Sequence, residues 1–256
     1  MKTNQIPTRG VLYIAAGEKY IRAAIQSANS VRKYCPDLPS HLFSDWHNYD
    51  VFDFDRSPYP FTSVERIPDP HRRSKVDYLS RTPFDLTLYL DTDTKLYTDI
   101  REMFGILDRF DIALTHAHRR NDPHRLAPWR IELPQAFPQY NGGVILYCKT
   151  PKVIGFLEDW RDHFKEAGLQ QDQMTLRELL WLSDLRIATL PPEYNVRFVK
   201  YHYLWRKTEA QTKIFHLRKY HDGPLWKFKK LVKDLGRNFL LRLDIDPSEV
   251  KKRIRR

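Results

Sequence analysis

The 256-residue chain holds only two cysteines, Cys35 and Cys148. They are too few for a disulfide framework or for a zinc site of their own, and a reducing compartment is the simpler expectation. Glycine is scarce at 9 residues beside 17 prolines, which excludes collagen-like and glycine-rich low-complexity sequence. No apolar run approaches the ~18 residues that suggest a membrane-spanning helix. Met1 to Gly10 lacks the apolar core of a secretion signal. The expectation is a cytoplasmic protein, soluble or held at a membrane surface. No internal repeat is evident.

What is present is the composition of a globular chain: 41% hydrophobic and 13% aromatic residues. The length suits one large domain, with or without an appendage. The net charge of +11 is unevenly placed. Residues 1–199 carry 26 basic and 26 acidic residues, whereas residues 200–256 carry 17 and 6. A nucleic-acid-binding domain would be basic throughout, so the pattern describes a neutral body with a cationic tail.

Along the body, strands and helices alternate. Val11–Ala16 is a buried-strand run that Gly17 ends. A helix follows, with Ile21, Ala24, Ile25, Ala28 and Val31 on one face, and stops before Pro36. Further strands are expected at His41–Ser44, Thr62–Ile67, Leu86–Leu90, Asp111–Thr115, Val144–Cys148, Ile187–Leu190 and Lys213–Leu217. Helices are expected at Arg72–Ser80, Ile100–Leu107, from Pro151, and at Asp172–Leu182, with a long, partly mobile loop at Ala117–Pro138. Alternation of this kind predicts an α/β fold with a mixed, mostly parallel sheet flanked by helices. In such sheets ligands sit beyond the carboxyl ends of the strands.

Three Asp-x-Asp triplets occur: Asp53/Asp55, Asp91/Asp93 and Asp244/Asp246. Only Asp91-Thr92-Asp93 is delivered to a strand end by a buried-type run, Leu86–Leu90. Alternate carboxylates there can share a hard divalent cation. His216 closes another strand-like run, Lys213–Phe215, and is a candidate third ligand among ten histidines. Two carboxylates and an imidazole suit Mn²⁺ or Mg²⁺ better than Zn²⁺. Asn141 precedes Gly142-Gly143, where backbone can approach a ligand closely. Asp172 and Gln173 open a helix, so Asp172 is either a helix cap or a ligand-facing carboxylate.

Tyr89-Leu90-Asp91-Thr92-Asp93 resembles the metal-binding strand end of GT-A glycosyltransferases, family 8 above all. Other segments match in the same order: Val11–Tyr34 with Asp37-Leu38-Pro39 and His41–Asp45, then Tyr140-Asn141-Gly142-Gly143-Val144, Asp172-Gln173, Leu190–Asn195, and His216 followed by Gly223-Pro224-Leu225-Trp226. The resemblance implies a GT-A domain over residues 1–224 that moves a sugar from a nucleotide sugar, most simply a UDP-sugar, with retained configuration. The acceptor would be a glycan or a lipid-linked molecule. It implies that Asp91, Asp93 and His216 bind the metal, that Ala15, Ala16, Tyr20, Lys75 and Thr92 line the nucleotide, and that Asn141, Asp172 and Gln173 act on the sugar. Three features depart from the family pattern. Gly142 stands where serine is common, the spacing from His216 to Trp226 is loose, and Leu225 replaces the usual lysine, which passes the phosphate contact to Arg218 or Lys219.

Two rival functions fit parts of the sequence. Leu88–Thr94 also fits the nucleophile pattern of haloacid-dehalogenase-type phosphatases, but the strand comes late and no later acidic pair is evident. The tail suits a nucleic-acid or membrane-binding module, yet no nucleic-acid motif is present. Residues 225–256 form the expected tail. Phe228, Leu231, Val232, Leu235, Phe239 and Leu243 recur at helical spacing among lysines and arginines, with a terminal cluster at residues 251–256. That is the pattern of a basic amphipathic helix lying on an anionic membrane surface.

Overall fold

The structure is a computed structural model that describes residues 6–50, 52–56, 59–120 and 123–217, together with Val232 and Gly236. Apart from Val232 and Gly236, the expected tail helix lies outside the described residues, as do Arg218 and Lys219.

The body is α/β. In chain order, β1 (Arg9–Ala15), α1 (Glu18–Tyr34), β2 (Ser40–Ser44), β3 (Ser63–Arg66), α2 (Lys75–Tyr78) and β4 (Leu86–Leu90) form its first half. Then come β5 (Thr94–Leu96), β6 (Ile112–His116), α3 (Pro123–Leu126), β7 (Tyr140–Cys148), α4 (Pro151–Ala167), α5 (Gln173–Leu182), β8 (Ile187–Leu190), α6 (Val199–Leu204) and β9 (Ile214–His216). Seven strands form one sheet in the order β3-β2-β1-β4-β7-β6-β8. Within it only β7 runs antiparallel to its neighbours, β4 and β6. β5 and β9 pair separately as a small antiparallel ribbon.

Period-two alternation sorts the central strands between two cores. Val11, Tyr13, Ala15, Leu88, Leu90, Val144 and Leu146 face α1, whose buried stripe is Ile21, Ala24, Ala28 and Val31. Leu12, Ile14, Tyr89, Ile145 and Tyr147 face the other way, onto Val76, Leu79, Trp160 and Leu176. Both faces are covered, which is why these strands read as continuous apolar runs. The stop and start signals hold as well. Thr150 Oγ1 accepts the N–H of Val153, Pro151 opens α4, and Gly168 closes it at φ 58°.

β5, α3 and α6 were not expected from the sequence, and two expected helices differ in kind. The 72–80 segment is a single α turn followed by a 3₁₀ turn at Leu79–Arg81, and 101–108 is 3₁₀ rather than α. The described part of the 117–138 loop is anchored by two adjacent side chains of α5. The Arg177 guanidinium donates to the carbonyls of Pro134 and Phe137, and the buried Glu178 carboxylate accepts the N–H groups of Trp129, Arg130 and Ile131. Among the described residues no helix is long and apolar enough to cross a membrane.

Candidate metal centre and its cleft

β1 and β4 are adjacent and parallel, and the chain leaves β1 for β2 on the side away from β4, so their carboxyl ends open a crevice. Asp91 is the first residue past β4. Its N–H donates to the Gly143 carbonyl (2.8 Å), and its own carbonyl accepts from the Thr94 amide and hydroxyl (3.1 and 2.8 Å). That turn returns Asp93 beside Asp91 and launches β5. Thr94 pairs with His216 on β9, and the Leu217 N–H donates to the Asp93 carbonyl (3.0 Å). The ribbon thereby carries His216 back to the triplet from more than a hundred residues away. Its Nε2 lies 3.0 Å from Asp93 Oδ1 and 3.5 Å from Asp91 Oδ2. One ligand atom from each of the three residues falls within 4.8 Å of the others.

The groups behind these ligands fix their orientation. The Tyr89 hydroxyl donates to Asp91 Oδ1 (2.7 Å), which leaves Oδ2 on the side of His216. Burial and the neighbouring Asp91 carboxylate push the Tyr89 phenol well above its ordinary pKa, so it remains a donor. His216 Nδ1 donates to Asn195 Oδ1 (2.7 Å). The Asn195 amide donates in turn to Thr115 Oγ1 (2.7 Å) and Asn141 Oδ1 (2.9 Å), and Asn141 Oδ1 also takes the Gly143 N–H (3.0 Å). With Nδ1 committed, Nε2 is the nitrogen presented to the carboxylates. Two groups reach Nε2: the Asp93 carboxylate, and the Arg197 guanidinium, which donates to it. A divalent cation bound there would take the lone pair and the carboxylate in place of the guanidinium. Burial opposes ionisation of Asp93, but the bonded imidazole and the nearby Arg197 charge outweigh it and hold the carboxyl well below the usual carboxylate range.

Gly143 makes the convergence sterically possible. A Cβ at this position would overlap the His216 ring and lie 2.7 Å from Asp91 Oδ2. The space is a cradle that only a missing side chain leaves open, and it holds two of the three ligands. Gly142 is less constrained, since its added Cβ would sit 3.2 Å from the flexible end of Lys75.

Lys75 links the candidate metal ligands to the other expected site. Its ammonium donates to the Gly142 carbonyl (2.9 Å), lies 2.9 Å from Asp172 Oδ2 and 3.6 Å from Asp91 Oδ1. Arg73 stands 3.7 Å from the other Asp172 oxygen. Burial would raise the Asp172 pKa, but these cations lower it, so it is an anion at neutral pH. Burial likewise disfavours the Lys75 charge, and Asp172 and Asp91 more than restore it. Lys75→Met is therefore expected to strand a buried carboxylate and to cost about 3 kcal/mol or more in urea unfolding. The depressed Asp172 pKa means that its stabilising contribution is complete above the ordinary carboxylate value of about 4. It fades as pH falls through the lower folded value, and wild type should lose stability over that acid range while Lys75→Met loses less.

Asp91, Asp93, Lys75, Arg73, Asp172 and Arg197 line one cleft of about 700 Å³, a volume that suits a nucleotide-sized ligand, and the buried His216 adjoins it through the two carboxylates. Ala16, Tyr20, Thr92, Asn141 and Gln173 line it as well. Asp172 caps α5 by position, but its side chain makes no capping hydrogen bond and is turned to Lys75 instead. Ala15 does not line the cleft. It is buried in the α1-side core, because alternation along β1 turns its neighbours Ile14 and Ala16 to the cavity. Asn141 has its amide oxygen committed to Gly143 and Asn195, so it orients the ligands as well as lining the cleft. The rival triplet Asp53/Asp55 is solvated, with Asp53 paired to Arg56.

Sequence reasoning gave no role to Asn195, Thr115, Arg73, Arg197 or Asp45, whose Oδ1 accepts the Gly17 N–H (2.8 Å) at the cleft's far end. Their partners are distant in sequence, and only Asn195 and Asp45 carried a signal, as parts of the Leu190–Asn195 and His41–Asp45 segments. No protein-family model matches the chain, and no curated protein matches it.

Proposed function

We propose that the protein is a metal-dependent glycosyltransferase of the GT-A type, acting on a nucleotide sugar, with a UDP-sugar as the first candidate. The observation that carries this reading is the Asp91/Asp93/His216 cluster, whose two carboxylates line one cleft with the Lys75–Asp172 pair and Gln173. The donor set fits a hard divalent ion such as Mn²⁺ or Mg²⁺: two carboxylates, one imidazole, and a Gly143 cradle that keeps the ligands close. When bound, such an ion neutralises the leaving diphosphate as a Lewis acid. Three protein ligands leave positions open for phosphate oxygens.

The chain's own residues divide the remaining work. Tyr20 and the Gly17–Asp45 turn border the end of the cleft assigned to the base and ribose. Tyr89, Asn195 and Asn141 hold the ligands in place. Asp172, kept ionised by Lys75 and Arg73, is suited to stabilise positive charge developing on a sugar ring and unsuited to donate a proton. Gln173, next to it, supplies an amide for sugar hydroxyls. Interactions of that kind strengthen in the transition state, so Gln173→Ala should lower kcat by about tenfold or more with little change in KM. An unchanged kcat with a large rise in KM would mean that Gln173 binds substrate and transition state alike.

The reading is tested by screening nucleotide sugars for hydrolysis or transfer with Mn²⁺ present, with p-nitrophenyl phosphate as a parallel substrate. Release of nucleoside diphosphate from one donor is expected. Hydrolysis of the phosphate ester with every nucleotide sugar inert would favour the phosphatase reading.

A further inference from the structure

Arg197, like Arg73, is a cleft cation that sequence reasoning overlooked. It follows Val196, whose N–H donates to the Ile214 carbonyl and whose carbonyl accepts the His216 N–H, both at 2.9 Å. Its backbone is thus fastened beside β9 while its side chain lines the cleft. One guanidinium nitrogen donates to His216 Nε2, the atom that a metal ion would need. A guanidinium cannot give up its charge in a protein, so the placement sets a permanent cation at the mouth of the Asp91/Asp93 pair.

Resting on the glycosyltransferase reading, we propose that Arg197 has two successive positions. Without metal its guanidinium stands in for the ion, offsetting the two carboxylates and occupying Nε2. When a divalent cation takes Nε2, Arg197 is displaced into the cleft, where it binds the diphosphate of the donor. The planar fork of arginine suits phosphate oxygens in a way a point charge does not. The exchange also couples the two ligands: metal entry frees the cation that the diphosphate requires.

This coupling makes substitutions act with opposite signs on two equilibria. In full-length protein, Mn²⁺ alone is titrated and followed by electron paramagnetic resonance of the free ion. Arg197→Ala should bind Mn²⁺ about tenfold more tightly than wild type, because a charge-assisted hydrogen bond to the ligand nitrogen and a nearby positive charge are both removed. UDP is then titrated calorimetrically at saturating Mn²⁺, and Arg197→Ala should bind it about tenfold more weakly. Arg197→Lys should regain part of the UDP affinity, since it retains the charge without the fork. A residue with a structural role alone would weaken both equilibria together, and that result overturns the proposal. So does Mn²⁺ affinity unchanged in Arg197→Ala and Arg197→Lys while wild type binds the ion, an outcome that leaves the metal-centre reading standing. If neither wild type nor Arg197→Ala takes up Mn²⁺, the metal-centre reading fails and this inference fails with it. Thermal unfolding of both variants checks that the comparison is between folded proteins.

Discussion

Asp93→Asn should abolish metal-dependent nucleotide binding while the chain still folds. The substitution keeps the size and shape of the side chain and removes one of two anionic ligands. Asp93 sits on a short turn with its side chain 24% exposed, so no core packing is lost. Its backbone carbonyl bond to Leu217, which ties the β5–β9 ribbon, is untouched. What disappears is the carboxylate closest to His216 Nε2. A metal ligand's share of transition-state charge stabilisation is several kcal/mol, so turnover should fall by about 10³-fold or more. Calorimetric titration of UDP with and without Mn²⁺ would show a large difference for wild type and none for the variant. An Asp93→Asn protein whose UDP affinity still rises on adding Mn²⁺ would remove Asp93 from the metal site. Circular dichroism separates loss of the site from loss of the fold.

Gly143→Ala should be nearly as damaging, by a different route. The added methyl group would overlap the His216 ring and crowd Asp91 Oδ2 at 2.7 Å. His216 cannot yield easily, since its ring is buried and its Nδ1 is bonded to Asn195. Nor can the backbone of Gly143, whose carbonyl holds the Asp91 N–H and whose own N–H holds Asn141. Overpacking at a rigid site costs about 1–3 kcal/mol of stability, and the ligands that do move leave the geometry a metal requires. Gly142→Ala is the internal control. Its methyl group would sit 3.2 Å from the Lys75 ammonium, 3.6 Å from Asp172 Oδ2 and 3.9 Å from Trp160, and would touch none of Asp91, Asp93 and His216. Mn²⁺ binding should be lost in Gly143→Ala and retained in Gly142→Ala. Equal behaviour of the two variants would mean that the Gly143 cradle has no special relation to the metal ligands.

The contrast between adjacent glycines shows where sequence was informative. The long central strands were legible because both their faces are buried and their apolar runs are continuous, as in Val11–Ala15 and Leu86–Leu90. Asp91 and Asp93 stood out from the other triplets because such a run delivers them to the carboxyl end of a strand. The helix at Pro151–Ala167 was marked at its start by proline, and its closing glycine supplied the left-handed cap. The β5–β9 ribbon was half hidden: β9 was expected, but three-residue β5 is too short to show a period, although it explains how His216 reaches Asp93. The Asn195–Thr115 and Asn195–Asn141 bonds span 80 and 54 residues, and local pattern carries no trace of them. Arg197 was invisible for the same reason, one arginine among 43 basic residues whose importance lies in the atom it touches. The 3₁₀ turns at 79–81 and 101–108 were read as helix because their apolar spacing is helical over so short a span.

The central claim is that Asp91, Asp93 and His216 hold a divalent ion on which donor chemistry depends. It is tested most directly by turnover of a nucleotide sugar by the wild-type protein stripped of metal with excess EDTA, then given back Mn²⁺ in excess of the chelator. The account predicts that release of nucleoside diphosphate stops in EDTA and returns with Mn²⁺. Full turnover of a nucleotide sugar in the presence of excess chelator would contradict it.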